Sequence, residues 1–154
     1  MCAKQKVKAV DGFEPIRALV KDNNISQKEI SEFAQIDYPL FSFRYLQPNS
    51  IKNCTQPDFF YDFLMRLNEL SSNGWDKIRS SRRHDLGMES IPCNQFKPNL
   101  KILGDTLTDD IKKLHVFRAD NKNHSFVGLQ VGKVFHIFFI EAEFGDIYSH
   151  GKKK

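Results

Sequence analysis

The stretch from Leu114 to Glu143 reads LHVFRADNKNHSFVGLQVGKVFHIFFIEAE, and its reading decides the fold. Three apolar runs, Leu114 to Ala119, Ser125 to Val131 and Val134 to Glu143, are separated by Asp120-Asn121-Lys122-Asn123 and by Gly132-Lys133. Short turns rich in Asn, Asp and Gly between β-favouring runs predict an antiparallel meander. In the third run both parities are apolar, with Val134, Phe138 and Ile140 on one side and Phe135, Ile137 and Phe139 on the other. Such a strand has no solvated face, so it is expected at the centre of a sheet covered on both sides.

Upstream, Thr55-Gln56-Pro57-Asp58 opens the strongest helix, Pro57 to Ser72, with proline tolerated in the first turn. Phe59, Phe60, Phe63, Leu64, Leu67 and Leu70 make a broad apolar face, while Asp62, Arg66 and Glu69 face water, and Ser72-Asn73-Gly74 stops the helix. This helix is expected to pack on the sheet. Trp75 to Arg79 predicts a further helical turn with Trp75 and Ile78 inward, and Met88 to Ile91 a short strand. Leu107-Thr108-Asp109-Asp110 has the form of a cap for a short helix through Lys113, and Ile147 to His150 that of a last edge strand.

The segment Pro39-Leu40-Phe41-Ser42-Phe43-Arg44-Tyr45-Leu46 admits two readings. Alternation of Phe41, Phe43 and Tyr45 with Ser42 and Arg44 is a strand pattern. The preceding Ile25-Ser26-Gln27-Lys28-Glu29-Ile30-Ser31 instead resembles the opening of a helix-turn-helix, which a helix from Tyr38-Pro39 would complete. Against the second reading, Gln35 stands where the turn usually has glycine, and aromatics occupy the base-reading positions.

Further upstream, Ser26-Gln27-Lys28-Glu29 is a capping box for a helix from Gln27 to about Gln35, burying Ile30, Phe33 and Ala34. Phe13, Ile16, Leu19 and Val20 form one helical stripe, and residues 1–12, with Lys4, Lys6 and Lys8, read as a flexible basic arm. The expectation is a single α+β domain over residues 13–150, of which 13–37 are a helical extension, followed by a lysine tail at 151–154. The sheet is expected to be antiparallel, its C-terminal three-stranded meander packed by one main amphipathic helix.

The 154 residues suffice for one domain with a real core, and 40% hydrophobic against 27% charged residues, with a mean hydropathy of −0.48, excludes a disordered or collagenous chain. Fourteen Phe, against one Trp and four Tyr, signal a dense aromatic core. The net charge of +4 owes three positives to Lys152, Lys153 and Lys154, so any basic patch must come from local clustering. Cys2, Cys54 and Cys93 are odd in number and widely spaced, which signals neither disulfides nor a zinc site and fits a reducing cytoplasm. No apolar run approaches the roughly 18 residues of a spanning helix, and no secretory leader is visible, so a cytoplasmic protein without a membrane partner is expected. Nothing implies a cofactor or a metal.

Chemistry is concentrated in Asp76-Lys77-Ile78-Arg79-Ser80-Ser81-Arg82-Arg83-His84-Asp85. Guanidinium forks grip phosphates and imidazole moves protons near neutral pH, which makes Lys77, Arg79, Arg82 and Arg83 candidate nucleic-acid contacts and His84 a candidate catalyst. A solvated helix end, its positives paired with Asp76 and Asp85, is the structural alternative. Arg118 at a strand end is a salt-bridge or phosphate-contact candidate, and Tyr148 and His150 are candidates for proton transfer on a 2′-hydroxyl. His115 points opposite to Arg118 by strand parity, and His136 reads as a hydrogen-bonded core residue.

The order of helix, basic run and compact meander ending in Val134-Phe135-His136-Ile137-Phe138-Phe139-Ile140, Gly145-Asp146-Ile147-Tyr148 and His150 resembles the RelE/HigB superfamily of small ribosome-dependent messenger-RNA endonucleases. The resemblance covers about the last 45 residues and contains no specific motif. It implies an RNA-cleaving toxin with RNA or the ribosome and an antitoxin-like protein as partners, and it carries over to Arg118, Tyr148 and His150, and less directly to Arg82, Arg83 and His84. The chain is longer than such toxins, its sheet starts earlier and its body is not strongly basic. The segment from Phe41 to Leu46 together with the meander is also similar to uncharacterised small mobile-element proteins, which implies no activity. The competing expectation is a non-catalytic module binding protein or nucleic acid through an aromatic sheet face and the N-terminal helices.

Overall fold

The computed structural model describes residues 27–52 and 54–151. The expected arm, the Phe13 helix, Ser26 of the capping box and the lysines of the tail lie outside the described residues. The chain divides into two compact units between Asp37 and Tyr38. In the first, helix α1 (Gln27–Ala34) has Ile30, Phe33 and Ala34 half-buried and Lys28, Glu29, Ser31 and Glu32 exposed.

The second unit is an α+β fold. Its strands are β1 (Leu40–Ser42), β2 (Glu89–Pro92), β3 (Lys113–Arg118), β4 (Ser125–Val131) and β5 (Val134–Ile140), and its helices are α2 (Pro57–Ser71) and α3 (Trp75–Ser80). The sheet order is β1-β5-β4-β3-β2. The meander β3-β4-β5 and the edge strand β2 are antiparallel, whereas β1 joins β5 in parallel, so the sheet is mixed. A strand over Leu40–Ser42 leaves no recognition helix after Tyr38; the strand expected through Leu46 ends at Ser42, because the chain turns there, with the Leu46 N–H on the Phe43 carbonyl at 3.0 Å. Gly132, at φ 61, opens the two-residue turn between β4 and β5 and meets the need of a tight hairpin for a left-handed residue.

Helices cover one face. Phe59, Phe63, Leu67 and Leu70 of α2, with Trp75 and Ile78 of α3, pack on Phe117, Ala119, Phe126, Phe135, Ile137 and Ile140. The rings interlock at centroid distances of 5.0 Å for Phe117–Phe135 and 5.3 Å for both Phe63–Phe126 and Phe117–Phe126. The buried stripe is narrower than expected, because Leu64 is 58% exposed beside Tyr61 and Met65. The opposite face is covered by loops and short 3-10 turns, over Cys93–Gln95 and Leu100–Thr106. Phe96, Leu103, Ile147 and Tyr148 pack there on Leu114, Val116, Val127, Phe138 and Phe139.

The strand β5 was expected at the centre; it is interior, between β1 and the central β4, and covered on both sides, yet its faces differ from simple alternation. Val127 pairs with Phe139 and Gly128 with Ile137, so Phe138 is an extra residue opposite that step. Such a bulge shifts parity by one. Phe138 and Phe139 both turn away from the helices, and Ile140 joins Phe135 and Ile137 beneath them. Gly128 makes the bulge possible, since a Cβ there would stand 1.9 Å from the His136 carbonyl oxygen.

Two smaller expectations are corrected. Residues 107–112 form no helix: two 3-10 turns joined by a kink at Gly104 lie earlier, over Leu100–Thr106, and the Thr108 hydroxyl bonds the Asp110 carboxylate in a turn before β3. Ile147 to His150 contribute one isolated bridge, Phe96 to Tyr148, rather than a strand. No helix among the described residues is long and apolar enough to cross a membrane.

Candidate active site

The bulge determines what stands at the end of the sheet. On the face opposite the helices, Val116, Val127 and Phe139 form an apolar cross-strand row. One step further along the strands, Arg118 pairs with Ser125, and the Ser125 carbonyl accepts the Glu141 N–H at 2.7 Å. Arg118, Ser125 and Glu141 are therefore a polar row where the apolar core ends. Without the extra residue in β5, Glu141 would share the helix-covered face with Phe135 and Ile137.

The segment after β5 folds back over this row. Glu141 is fully buried, and its two carboxyl oxygens lie 2.7 and 3.0 Å from His150 Nε2. The Gly145 N–H donates to Glu141 Oε2 at 3.1 Å. Burial pushes the Glu141 carboxyl up to about 7, against the opposing pull of the Gly145 and Ile147 backbone N–H groups and of His124. His150 is shifted the other way, below the usual imidazole range, first by burial and then by the charges of Arg83 and Arg118. The His150 ring is clasped between Phe144 and Tyr148, at centroid distances of 4.1 and 4.2 Å. Tyr148 is buried, its hydroxyl 3.3 Å from Ser125 Oγ, and burial raises its phenol so that it keeps its proton at neutral pH.

The remaining wall comes from the loop after α3. The Arg82 carbonyl accepts the N–H groups of Asp85 and Gly87, both at 2.9 Å, and a Cβ on Gly87 would stand 2.3 Å from the Ser81 carbonyl oxygen. That tight loop presents Arg83 and His84. Arg83 pairs with Glu89 of β2 at 2.8 Å, and Arg118 donates to Asn123 Oδ1 at 2.7 Å. Arg66 was expected to face water, but its side chain is only 12% exposed. It donates to the carbonyls of Arg118 and Asp85 and pairs with Glu69, tying α2 to both arginine-bearing segments.

These elements enclose a cleft of about 700 Å³. Five of the eight candidate residues, Arg83, His84, Arg118, Tyr148 and His150, line it. Lys77, Arg79 and Arg82 do not. Lys77 and Arg79 are on the exposed side of α3, where Arg79 pairs with Asp76 and lies over the Trp75 ring, which is the helix-end arrangement weighed in the sequence. Glu141, Ser125, Glu89, Asn123 and Phe144 were missed by sequence reading. A carboxylate directly after the apolar run from Val134 to Ile140 was the available signal for Glu141; its face depends on the bulge.

Two other histidines stay apart from the cleft. His136 was expected to be hydrogen-bonded, but its buried Nδ1 has no partner among the described residues, as is true of His115 Nδ1, and burial lowers both imidazoles. Among the described residues no three His, Cys, Asp or Glu side chains are grouped to hold a metal ion. The cleft can accept an anion between two guanidinium groups and exchange a proton with it through an imidazole backed by a buried carboxyl group. Compared with known proteins, the chain matches no family model, no curated protein and no solved structure.

Proposed function

We propose that this protein binds and cleaves RNA in the cleft between Arg83 and Arg118. The observation that carries the reading is the convergence of Arg83, His84, Arg118, Tyr148 and His150 on one cavity, with His150 held by the buried Glu141. The guanidinium groups of Arg118 and of Arg83, the latter shared with Glu89, favour a phosphodiester, and their contacts gain strength as it becomes the dianionic phosphorane. With Glu141 ionised and accepting the His150 Nε2 hydrogen, the neutral imidazole takes the proton of the 2′-hydroxyl on Nδ1 as that oxygen attacks the adjacent phosphorus. The bond from phosphorus to the 5′-oxygen breaks, and that oxygen leaves with a proton from His84, giving a 2′,3′-cyclic phosphate and a free 5′-hydroxyl. Tyr148 donates a hydrogen bond from its retained phenolic proton.

The resemblance of the last third to RelE/HigB toxins supports RNA as the polymer. In the finer form of this reading the RNA is messenger on the ribosome, and an antitoxin-like protein covers the cleft. The test is binding and cleavage of a mixed RNA pool, with and without ribosomes, at two salt concentrations. Expected are affinity that falls with salt, weaker binding for Arg118→Ala, and loss of cleavage for His150→Ala with binding retained. Wild-type protein that binds no RNA at low salt overturns the reading.

A second reading, a non-catalytic protein-binding module, is favoured by the row of exposed Tyr61, Leu64 and Met65 on α2. It predicts a partner lost on Leu64→Asp with no change in RNA binding.

A further inference from the structure

Phe144 is 57% exposed, although nothing about its position is loose. The turn from Glu143 to Asp146 is closed by the Asp146 N–H on the Glu143 carbonyl at 3.1 Å, with Gly145 at φ 89 in the left-handed region. A glycine at that third position is the requirement of a type II turn. The turn is anchored twice more, by the Gly145 N–H on Glu141 and by the Lys97 ammonium on the Gly145 carbonyl. One face of the Phe144 ring is stacked on His150, at 4.1 Å and 21° between planes. The ring also lines the cleft that contains Arg83 and Arg118. A large aromatic held rigidly at the mouth of an anion-binding cleft, with one face stacked and exposed area remaining, has the form of a platform for another flat ring.

We infer that Phe144 stacks on an unpaired nucleobase next to the phosphate in the cleft, so that this site takes single-stranded RNA and rejects a duplex. The inference rests on the RNA reading above and adds to it the strandedness of the substrate. A base inside a duplex has both faces occupied by its neighbours, and only an unpaired one can leave the stack to lie on a protein ring. Stacking makes no use of hydrogen-bonding edges, so this contact selects for an unpaired base without selecting which base.

The experiment is a fluorescence-anisotropy titration of wild-type protein and Phe144 variants with a short mixed-sequence RNA whose 2′-hydroxyls are methylated to block cleavage. The RNA is presented single-stranded or annealed to its complement. Wild type is expected to bind the single strand more tightly than the duplex. Phe144→Ala and Phe144→Leu both weaken the single strand by about tenfold, leave the duplex unchanged and melt with the wild type, while Phe144→Trp retains the affinity and has its indole emission quenched by RNA. Leucine still covers His150 but has no ring, so wild-type affinity in Phe144→Leu would reduce Phe144 to a lid on the imidazole and overturn the inference. Equal binding of duplex and single strand overturns it as well. If Arg118→Ala weakens the single strand while every Phe144 variant matches the wild type, RNA binding stands and stacking falls. If the wild type binds neither probe at low salt, the RNA reading itself fails.

Discussion

Two histidine–carboxylate pairs stand at the same end of the sheet, and they differ in what the imidazole faces. Asp120 Oδ2 lies 2.5 Å from His124 Nδ1, while its other oxygen accepts the Lys122 and His124 N–H groups at 2.8 and 3.1 Å. That carboxylate is the hub of the β3–β4 turn, satisfied by the backbone around it, and the His124 ring lies edge-on against Phe59 at 5.2 Å. Glu141 is equally buried and likewise has an imidazole, that of His150, as its closest partner, and burial raises its carboxyl to about 7. His150, unlike His124, lines the cleft with two arginines. The same two functional groups at similar distances lock a turn in one case and line the wall of a cleft in the other. What separates them is the neighbour of each imidazole, the Phe59 ring for His124 and the arginine-lined cleft for His150.

The largest effect that would collapse this contrast is catalytic. His150→Ala is expected to lower RNA cleavage by about a hundredfold or more, in the range of general acid–base contributions. His124→Ala leaves the rate within a few-fold and instead destabilises the fold by about 1–3 kcal/mol, because it strips a buried carboxylate of its imidazole. Cleavage rates and urea unfolding of the two variants test this, and a rate loss shared equally between them removes the distinction.

Next comes the bulge that separates the two pairs structurally. Gly128→Ala is expected to cost roughly 3 kcal/mol, since its new methyl group meets a backbone carbonyl that cannot move alone. Folded protein that remains should lose the His150 imidazole environment while keeping that of His124, which NMR of the ring protons reads directly. A Gly128→Ala protein as stable as the wild type would mean that the bulge is not the cause of Glu141 facing the cleft.

The third effect is set by pH. The Glu141 carboxyl lies above its ordinary value of 4.5, so between 4.5 and about 7 the folded protein holds a proton that the unfolded chain has lost. Stability from this group is therefore present below about 4.5 and is lost as pH rises through about 7. Glu141→Gln, which cannot ionise, is expected to gain on the order of 1–3 kcal/mol relative to wild type between pH 5 and pH 8. His150 acts with the opposite sign, since its lowered imidazole stabilises the fold above 6.5 and that contribution fades as pH falls below it. Urea titrations at the two pH values check the slope, and a difference independent of pH would contradict a buried, protonated Glu141.

The smallest effect belongs to the basic residues outside the cleft. Lys77→Ala and Arg79→Ala are expected to leave cleavage of bound RNA unchanged and to lower affinity no more than any surface positive charge does. A loss matching that of Arg118→Ala would extend the site across α3.

Much of this architecture was legible in the chain. The runs from Leu114 to Ile140, the Gly132-Lys133 turn, the Pro57 helix and the inward Trp75 and Ile78 all follow from periodicities that local sterics impose on any sequence. Arg118 was legible as a candidate from its place at the end of an apolar run, and Tyr148 and His150 from the resemblance of the C-terminal segment. Glu141 and Arg66 were not. Arg66 sits at a helix position that reads as solvated, and only the approach of β3 and of the loop after α3 buries it.

Length, composition and hydrophobic period were thus enough to settle an α+β sheet with an aromatic core, because backbone geometry and burial act over a few neighbouring residues. Which face each side chain of β5 takes, and which charges meet in one cleft, followed from contacts between segments distant in the chain. A single extra residue opposite Gly128 turned Glu141 toward His150. Parity is a local property until a bulge interrupts it, and the steric condition for that bulge lies on the neighbouring strand.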